Sequence, residues 1–148
     1  MPKMIFVNLP VADVTRATAF YEAIGAVRDP RFCDANTAMV VFSDTIAFML
    51  LEHERYNSFT SKRVADTATT SEVIIALSEE SREAVDATMD RALAAGATAD
   101  PTPRQEMGDF MYGRSFEDPD GHIIELVWMD VDKAMVAMQP PSQQAAPA

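Results

Sequence analysis

Glu125 has the clearest potential for chemistry in this chain, because it lies inside an apolar, strand-like run. Residues 123–128 read IIELVW, so the acid is flanked by apolar side chains in both directions. A carboxylate in such surroundings must be paired, bound to a metal or used in a reaction, because burying an unpaired charge is costly. Glu125 is therefore the first candidate for a functional residue.

A turn signal just before this run predicts what faces Glu125. Residues 118–121 read DPDG, which is typical of a tight turn between two strands. Pairing symmetric about Pro119–Asp120 would place Arg114 opposite Glu125. The same face would carry Tyr112, Phe116, Ile123 and Val127. This arrangement leaves two interpretations open: a structural Arg114–Glu125 ion pair, or a cavity in which Glu125 is a metal ligand or general base and Arg114 receives an anionic group.

Few other residues could bind a metal or act as a nucleophile. The chain has two histidines, His53 and His122, and one cysteine, Cys33. His53 follows a predicted strand and His122 lies beside the turn, so we expect both to be solvated. A single cysteine excludes an intrachain disulfide, which is typical of a reducing compartment, and we expect Cys33 to pack as an apolar residue.

The first half of the chain predicts one strand, one helix and three further strands. The strand at residues 4–9 ends at Pro10, and Asp13 is placed to cap a helix. The helix carries its apolar residues at helical spacing and ends at Gly25. Strands are predicted at about residues 26–33, 37–42 and 46–52, with a hairpin turn at residues 43–45.

The second half repeats this order. A strand at residues 72–77 precedes a helix that we expect to be capped by Ser78 and to end at Gly96. Three strands follow at about residues 97–100, 110–117 and 123–129. We therefore predict two tandem βαβββ modules, at about residues 3–52 and 72–130, joined by a polar linker at about 53–71. Together they form one domain over residues 1–138, and residues 139–148, rich in Pro, Gln and Ala, are predicted to be a disordered tail.

Composition excludes several classes of function. The 148 residues include 12 Lys plus Arg and 23 Asp plus Glu, a formal net charge of −11. Nucleic acid and anionic membranes bind clustered basic residues, so neither is an expected partner. No apolar run approaches the roughly 20 residues that span a bilayer, and no signal peptide is recognisable. We expect a cytoplasmic protein.

Three of these features together resemble the vicinal oxygen chelate superfamily. They are residues 116–126 (FEDPDGHIIEL), residues 9–13 (LPVAD) with the following Phe20-Tyr21, and the doubled βαβββ order. The superfamily includes glyoxalase I, bleomycin-resistance proteins, fosfomycin-resistance enzymes and extradiol dioxygenases. Among its members the chain is most similar to uncharacterised glyoxalase-related proteins. The resemblance implies an α+β fold in which the two modules form a curled mixed sheet with a cleft, often completed by a homodimer.

The resemblance also locates the positions that hold a divalent metal in metal-dependent members. They fall at Phe6, Met49, Ile74 and Glu125, and only the last can be a ligand, because phenyl, thioether and alkyl side chains are not donors for Ni, Zn, Mn or Fe. We therefore expect no metal cofactor. The alternative is a weak site formed by Asn8, Glu72 and Glu125, which a two-residue shift of the alignment would bring to the same face.

Three functions remain to be compared. The favoured one is a metal-free, small-molecule-binding dimer of the bleomycin-resistance type. The second is a glyoxalase-like lyase or isomerase in which Glu125 abstracts a proton and Arg114 or Tyr112 stabilises the resulting charge. The third, a metal-dependent dioxygenase, lacks two well-placed histidines. The candidate ligand-binding residues are Phe6, Asn8, Phe48, Met49, Glu72, Tyr112, Arg114 and Phe116.

Overall fold

The first module forms a four-stranded mixed sheet covered by one helix. In this computed structural model, which describes residues 1–140, β1 lies parallel to β4, and β3 pairs antiparallel with both β4 and β2. Pro30–Phe32 form a single 3-10 turn between β2 and β3. The elements of the module are β1 (Ile5–Val11), α1 (Val14–Ala23), β2 (Val27–Arg28), β3 (Thr37–Val41) and β4 (Ile46–Glu52).

The second module repeats this topology with one additional strand. Its sheet has the order β5-β9-β8-β6, and β7 pairs with the same edge of β8 farther along. Its elements are β5 (Ile74–Ser78), α3 (Arg82–Ala94), β6 (Thr98–Ala99), β7 (Gln105–Met107), β8 (Met111–Glu117) and β9 (Ile123–Met129). The predicted α+β fold with two βαβββ modules is confirmed.

Apart from the 3-10 turn, which lies within the strand predicted at about residues 26–33, three elements were not predicted. The linker contains a short helix, α2 (His53–Asn57), and α4 (Val131–Ala137) follows β9. The third is β7. All three are short, and short segments carry too few residues for a periodic apolar pattern. Of the predicted disordered tail, residues 141–148 lie outside the described part of the chain. Within residues 1–140, no helix has the length and apolar character needed to cross a membrane.

Local signals set the ends of α1 as predicted. The Asp13 carboxylate accepts a hydrogen bond from the Arg16 amide at 3.0 Å, and Glu52, at the end of β4, accepts from the Val14 amide at the same distance. Gly25 follows the helix with a φ of +110°, which favours glycine over residues that carry a Cβ. The predicted cap of the second helix is wrong: Ser81 accepts from the Ala84 amide, whereas Ser78 ends β5.

The β8–β9 register differs from the predicted one by one residue. Ser115, and not Arg114, lies opposite Glu125, and Arg114 pairs with Leu126. The cause is the turn, in which Gly121 adopts a φ of +88° and adds a residue to the connection. Because side chains alternate between the faces of a strand, this shift moves Arg114 to the face opposite Glu125.

A single core lies between the helices and the two sheets. Both helices direct their apolar stripes inward, and the rings of Phe20 and Phe116 from different modules are 5.6 Å apart. Tyr21 packs edge-on against Phe20 and Phe48. Cys33 is partly buried against this core. One hydrophobic core therefore spans both modules.

Polar contacts join the β8–β9 turn to the first module. The Tyr21 hydroxyl donates to the Asp118 carboxylate at 2.6 Å, and His122 Nε2 lies 2.7 Å from the Pro10 carbonyl oxygen. Asp118 also accepts the amide of His122. His122 is thus buried, and the expectation that it would be solvated is wrong. The turn is folded onto another module instead of extending into water.

Asp120 and Gly121 complete this junction. Asp120 accepts hydrogen bonds from the Ala12 amide at 2.9 Å and from the Arg16 guanidinium at 3.0 Å. Gly121 approaches the Thr67 carbonyl so closely that a Cβ would collide with it. The junction therefore ties the second module to both the β1–α1 corner and the linker.

The junction predicts an alkaline sensitivity that depends on Tyr21. Burial, and then the negative charge of Asp118, raise the pKa of the Tyr21 phenol well above its usual value. The unfolded chain releases this proton near pH 10, whereas the folded chain retains it, so this contribution to stability is lost as pH rises above about 10. We expect Tyr21→Phe to lose less unfolding free energy than the wild type between about pH 9 and pH 11 in urea denaturation.

At neutral pH the same variant should be less stable by about 1–3 kcal/mol, because Asp118 loses a hydrogen bond in a buried place. Tyr56→Phe, in α2, is the matched control and should show neither effect. Equal pH dependence of the wild type and Tyr21→Phe would contradict this account.

Candidate functional site

The candidate site lies on the face of the second sheet that points away from α1 and α3, here called the outer face. Cross-strand pairing defines its rows. One row is Met107, Met111 and Met129; the next is Gln105, Gly113, Val127 and Ser78; the third is Ser115, Glu125 and Ala76; the last is Glu117, Ile123 and Ile74. Glu125 is the acid nearest the centre of this surface.

The small size of its cross-strand neighbours indicates a shallow depression around Glu125. Ser115 and Ala76 lie on either side of it, and Gly113 lies one row away. Longer side chains of the methionine row and of Ile74 and Ile123 stand at the two ends. The Glu125 carboxylate is half-buried and makes no hydrogen bond or ion pair with any residue of the described part. A partly desolvated carboxylate without a partner is available to a ligand.

A loop from the edge of the sheet covers one side of this depression. Asp100 continues the β6–β8 pairing, because its backbone amide donates a hydrogen bond to the Ser115 carbonyl oxygen. The chain then turns away from β8 at Asp100, which has a φ of +49°. Thr102 follows, and its amide and hydroxyl bind the Ser115 hydroxyl at 3.1 and 2.7 Å. Ser115 is therefore fully buried, although it lies on the outer face.

An ion pair on the opposite face of β8 holds this loop. Arg114 donates to Asp100 through Nε at 3.3 Å and through Nη2 at 3.0 Å, and lies 3.7 Å from Asp86 of α3. The hydrogen bond from Arg114 lowers the pKa of the Asp100 carboxyl. Arg114 thus fixes the edge of the depression from behind.

Four predicted site residues lie on the helix-facing side. Phe48 and Phe116 are fully buried in the core, and Tyr112 donates its hydroxyl to Asp86 of α3 at 2.6 Å. Arg114 is the fourth. The prediction that Tyr112, Arg114 and Phe116 share a face with Glu125 is wrong, because of the one-residue register shift. None of the four lines the depression around Glu125.

The remaining predicted residues lie on or near the outer faces of the two sheets. Asn8 pairs with Met49, and Phe6 lies one row away on the same face of the first sheet. Phe6 is half exposed, whereas the neighbouring Ala47 and Leu51 are buried. Asn8 and Glu72 line one depression, together with Tyr56 of α2. The structure therefore brings Asn8 near Glu72, but Glu125 does not line that depression.

The donor chemistry of these positions does not fit a divalent metal. Phe6, Met49, Ile74 and Glu125 lie on the outer faces, as the resemblance implied, but only Glu125 carries an oxygen donor. Over residues 1–140, no three His, Cys, Asp or Glu side chains are grouped so that they could hold a metal ion. The expectation that no metal is bound stays a prediction.

The sequence reasoning did not identify the small residues of the depression. None of these residues, Ala76, Gly113 and Ser115, has an ionisable or metal-binding side chain that would mark it as a candidate in the sequence. Gly113 alone gave a signal, since an isolated glycine inside a strand often marks a place where another group approaches closely. Identifying the other two required the register.

Comparison with known proteins decides the family. A family model described as the Glyoxalase/Bleomycin resistance protein/Dioxygenase superfamily matches residues 3–126. The chain belongs to this superfamily. The predicted resemblance is confirmed, and the vicinal oxygen chelate fold follows from it.

Solved structures of several other proteins share the fold at low sequence identity. Hypothetical protein SA1046 from S. aureus has a TM-score of 0.70 and 23% identity, over 86% of this chain and 95% of that one. A glyoxalase-related enzyme from Fulvimarina pelagi has a TM-score of 0.70 and 18% identity, over 86% and 88%. The fosfomycin resistance protein FosX from Mesorhizobium loti has 0.65 and 16%, over 91% and 98%. No curated protein matches the sequence.

The loop beside Glu125 gives a testable prediction. The lowered pKa of Asp100 means that its ion pair stabilises the fold above about pH 4, and that this contribution is lost as pH falls through the folded-state value. We expect Asp100→Asn to lower the unfolding free energy by about 1 kcal/mol at neutral pH, with the difference shrinking as the pH falls below about 4, measured by urea denaturation.

Asparagine tolerates the positive φ of residue 100, so this variant tests the charge alone. Asp100→Ala should be less stable than Asp100→Asn by about 1 kcal/mol, because alanine is strained at a positive φ. A stability difference between Asp100→Asn and the wild type that does not change with pH would contradict the role of the ion pair.

Proposed function

We propose that this protein is a small-molecule-binding member of the glyoxalase superfamily, that it uses no metal, and that Glu125 is its ligand anchor. The observation that carries the proposal is the unpartnered, half-buried Glu125 carboxylate on the outer face of the second sheet. A buried acid normally has a partner within its own protein. The described part of the chain supplies no such partner for Glu125. A bound ligand is therefore the group best suited to pair with its carboxylate.

The surroundings of Glu125 favour a ligand with an apolar body and one donor or cationic group. Met111, Val127 and Ile123 supply apolar contacts, and methionine adapts to irregular shapes. The carboxylate accepts a charge-assisted hydrogen bond from the ligand. The net charge of −11 attracts cations over a longer range.

A glyoxalase-like lyase or isomerase is the alternative function. Glu125 would abstract a proton next to a carbonyl, and a second group would have to stabilise the negative charge that develops on the oxygen. Arg114 and Tyr112 were the candidates for that second group, and both lie on the helix-facing side. We favour binding over catalysis for this reason. A dioxygenase is less favoured still, because His122 is engaged with Pro10.

The edges of the two sheets support a homodimer. β1 and β5 each pair with only one strand in the described chain, so their other edges offer free backbone groups. Ile5, Phe6, Val73 and Ile74 expose about half of their side chains there. Exposed apolar edges invite aggregation unless a partner covers them, and a second copy is the commonest such partner. We propose that the dimer also encloses the ligand.

Ligand binding can be tested with a pair of probes of one shape. We expect 4-phenylbutylamine to raise the melting temperature of the wild type, and 4-phenylbutyrate to leave it unchanged, because only the amine can pair with Glu125. Glu125→Gln should weaken amine binding about tenfold or more in calorimetric titration. Glu83→Gln, on the exposed side of α3, is the matched control and should bind as the wild type does.

Native mass spectrometry with added Mn²⁺, Ni²⁺ or Zn²⁺ tests the absence of a metal. We expect no stoichiometric ion on the wild type or on Glu125→Gln. One ion per chain, lost in Glu125→Gln, would overturn the metal-free proposal. Equal binding of the two phenylbutyl probes would overturn the role of Glu125 as anchor.

The proposed dimer predicts the effect of a charge on the β5 edge. We expect Ile74→Lys to convert a dimer into a monomer in sedimentation velocity, because a lysine on an edge strand opposes pairing with another edge. Val131→Lys, at an exposed position of α4, places the same charge elsewhere and should remain dimeric. A wild type that sediments as a monomer would refute the dimer.

A further inference from the structure

The two modules meet at two junctions that are related by the internal repeat but filled differently. At the first, the five-residue turn 118–122 bonds to the β1–α1 corner. At the second, the β3–β4 turn of residues 42–46, which is also five residues long, faces the β5–α3 corner. No hydrogen bond joins that turn to residues 78–82 anywhere in the described chain. The two turns have the same length, so the difference lies in their side chains: within residues 1–140, the 42–46 turn carries no counterpart of Asp118, Asp120 or His122 that bonds across this junction.

The helix facing the second junction is also smaller at one position. Counting from the helix N-caps Asp13 and Ser81, Phe20 of α1 corresponds to Thr88 of α3. By the same count, Val11 corresponds to Glu79. A threonine therefore replaces a phenyl ring, and a carboxylate replaces an apolar side chain. Both replacements occur at the junction that the turn leaves open.

The result is an inter-module cavity of about 240 Å³. Its floor is apolar and its wall is polar. The floor comprises Ile24, Phe42, Ile46 and Leu77, and the wall includes Glu79 and Thr88. Cavities with an apolar floor and a few placed polar groups are typical of small-molecule sites.

The polar wall has an unused acceptor. Thr88 is 3% exposed; its hydroxyl donates to Glu79 Oε1 at 2.7 Å and accepts from Arg91 Nη2 at 3.0 Å. Glu79 Oε2 forms no hydrogen bond, and Glu79 forms no ion pair, with any residue in 1–140. Arg91 is engaged with Thr88 and is not among the lining residues. The available group in this cavity is therefore a carboxylate oxygen.

We propose that the inter-module cavity is a second small-molecule site, which binds a compact primary ammonium compound with an apolar body. The apolar body packs on the floor between Phe42 and Leu77, and the ammonium group donates to Glu79. This site lies between the modules, whereas the depression around Glu125 lies on the outer face of the second sheet. The proposal therefore does not depend on the function proposed for Glu125.

Benzylamine is a suitable probe, because its ring and single ammonium group match the cavity in size and chemistry. In a ¹⁵N-labelled protein, we expect saturable shifts of the amide signals of Gly25, Ser43 and Thr88, with a dissociation constant on the order of 1 mM. Benzyl alcohol, which has the same shape without the charge, should bind about tenfold more weakly.

Variants separate this site from the outer face. Glu79→Gln should weaken benzylamine binding about tenfold, and Thr88→Leu, which fills the cavity, should abolish the shifts at Gly25 and Ser43. Glu125→Gln should leave those shifts unchanged. Shifts confined to the outer face, unchanged affinity in Glu79→Gln, or equal affinity for the amine and the alcohol would each overturn the proposal. If Thr88→Leu does not fold, the comparison of probes and Glu79→Gln still decides.

Discussion

The docking of the β8–β9 turn on the β1–α1 corner is the interaction on which the rest of the structure depends. It combines the Tyr21–Asp118 hydrogen bond with the contact between His122 and the Pro10 carbonyl, both in buried surroundings. Because the turn belongs to the β8–β9 hairpin, anchoring it also fixes which side chains of that hairpin face the helices. Gly121 is essential to this arrangement, since its positive φ lengthens the turn and no Cβ fits beside Thr67. The position of every residue around Glu125 follows from this one turn.

Features set by local interactions could be predicted from the sequence, and features set by one residue of register could not. The cap at Asp13, the helix end at Gly25 and the order of strands and helices each depend on a few neighbouring residues. Which face of the sheet carries the Arg114 side chain depends instead on whether the turn contains four or five residues. The DPDG sequence is compatible with both lengths. Ser78 and Ser81 both precede the second helix and are equally good caps by type; the extent of β5 decides between them. Glu125 itself was found because a charge inside an apolar run is visible without any structure.

The outer faces of the two sheets differ in which side chains are buried. On the first sheet, Met39, Ala47 and Leu51 are buried on the outer face, and the linker helix α2 packs against β1 and β4. On the second sheet, Glu125 lies between the small residues Ala76 and Ser115, and the loop that follows Asp100 covers Ser115. Among the four positions that the resemblance assigns to a metal, only Glu125, on the second sheet, carries an oxygen donor. One oxygen donor among four positions is a poor donor set for a divalent metal, and this chemistry supports the proposed metal-free site.

Contacts on the two faces of β8 explain how the wall beside Glu125 is held in position. Metal ions organise a site by holding several side chains in fixed positions. In this chain Arg114 bonds Asp100 on the helix-facing side, and the loop that Asp100 begins returns across the strand to bond Ser115 on the outer face through Thr102. The ion pair therefore acts through the loop on the wall next to Glu125. Arg114, which the sequence suggested as a ligand-binding group, contributes by positioning this wall, and its guanidinium is already paired with Asp100 and Asp86. An anionic ligand group consequently has no free arginine at Glu125, and the charge of the site stays negative.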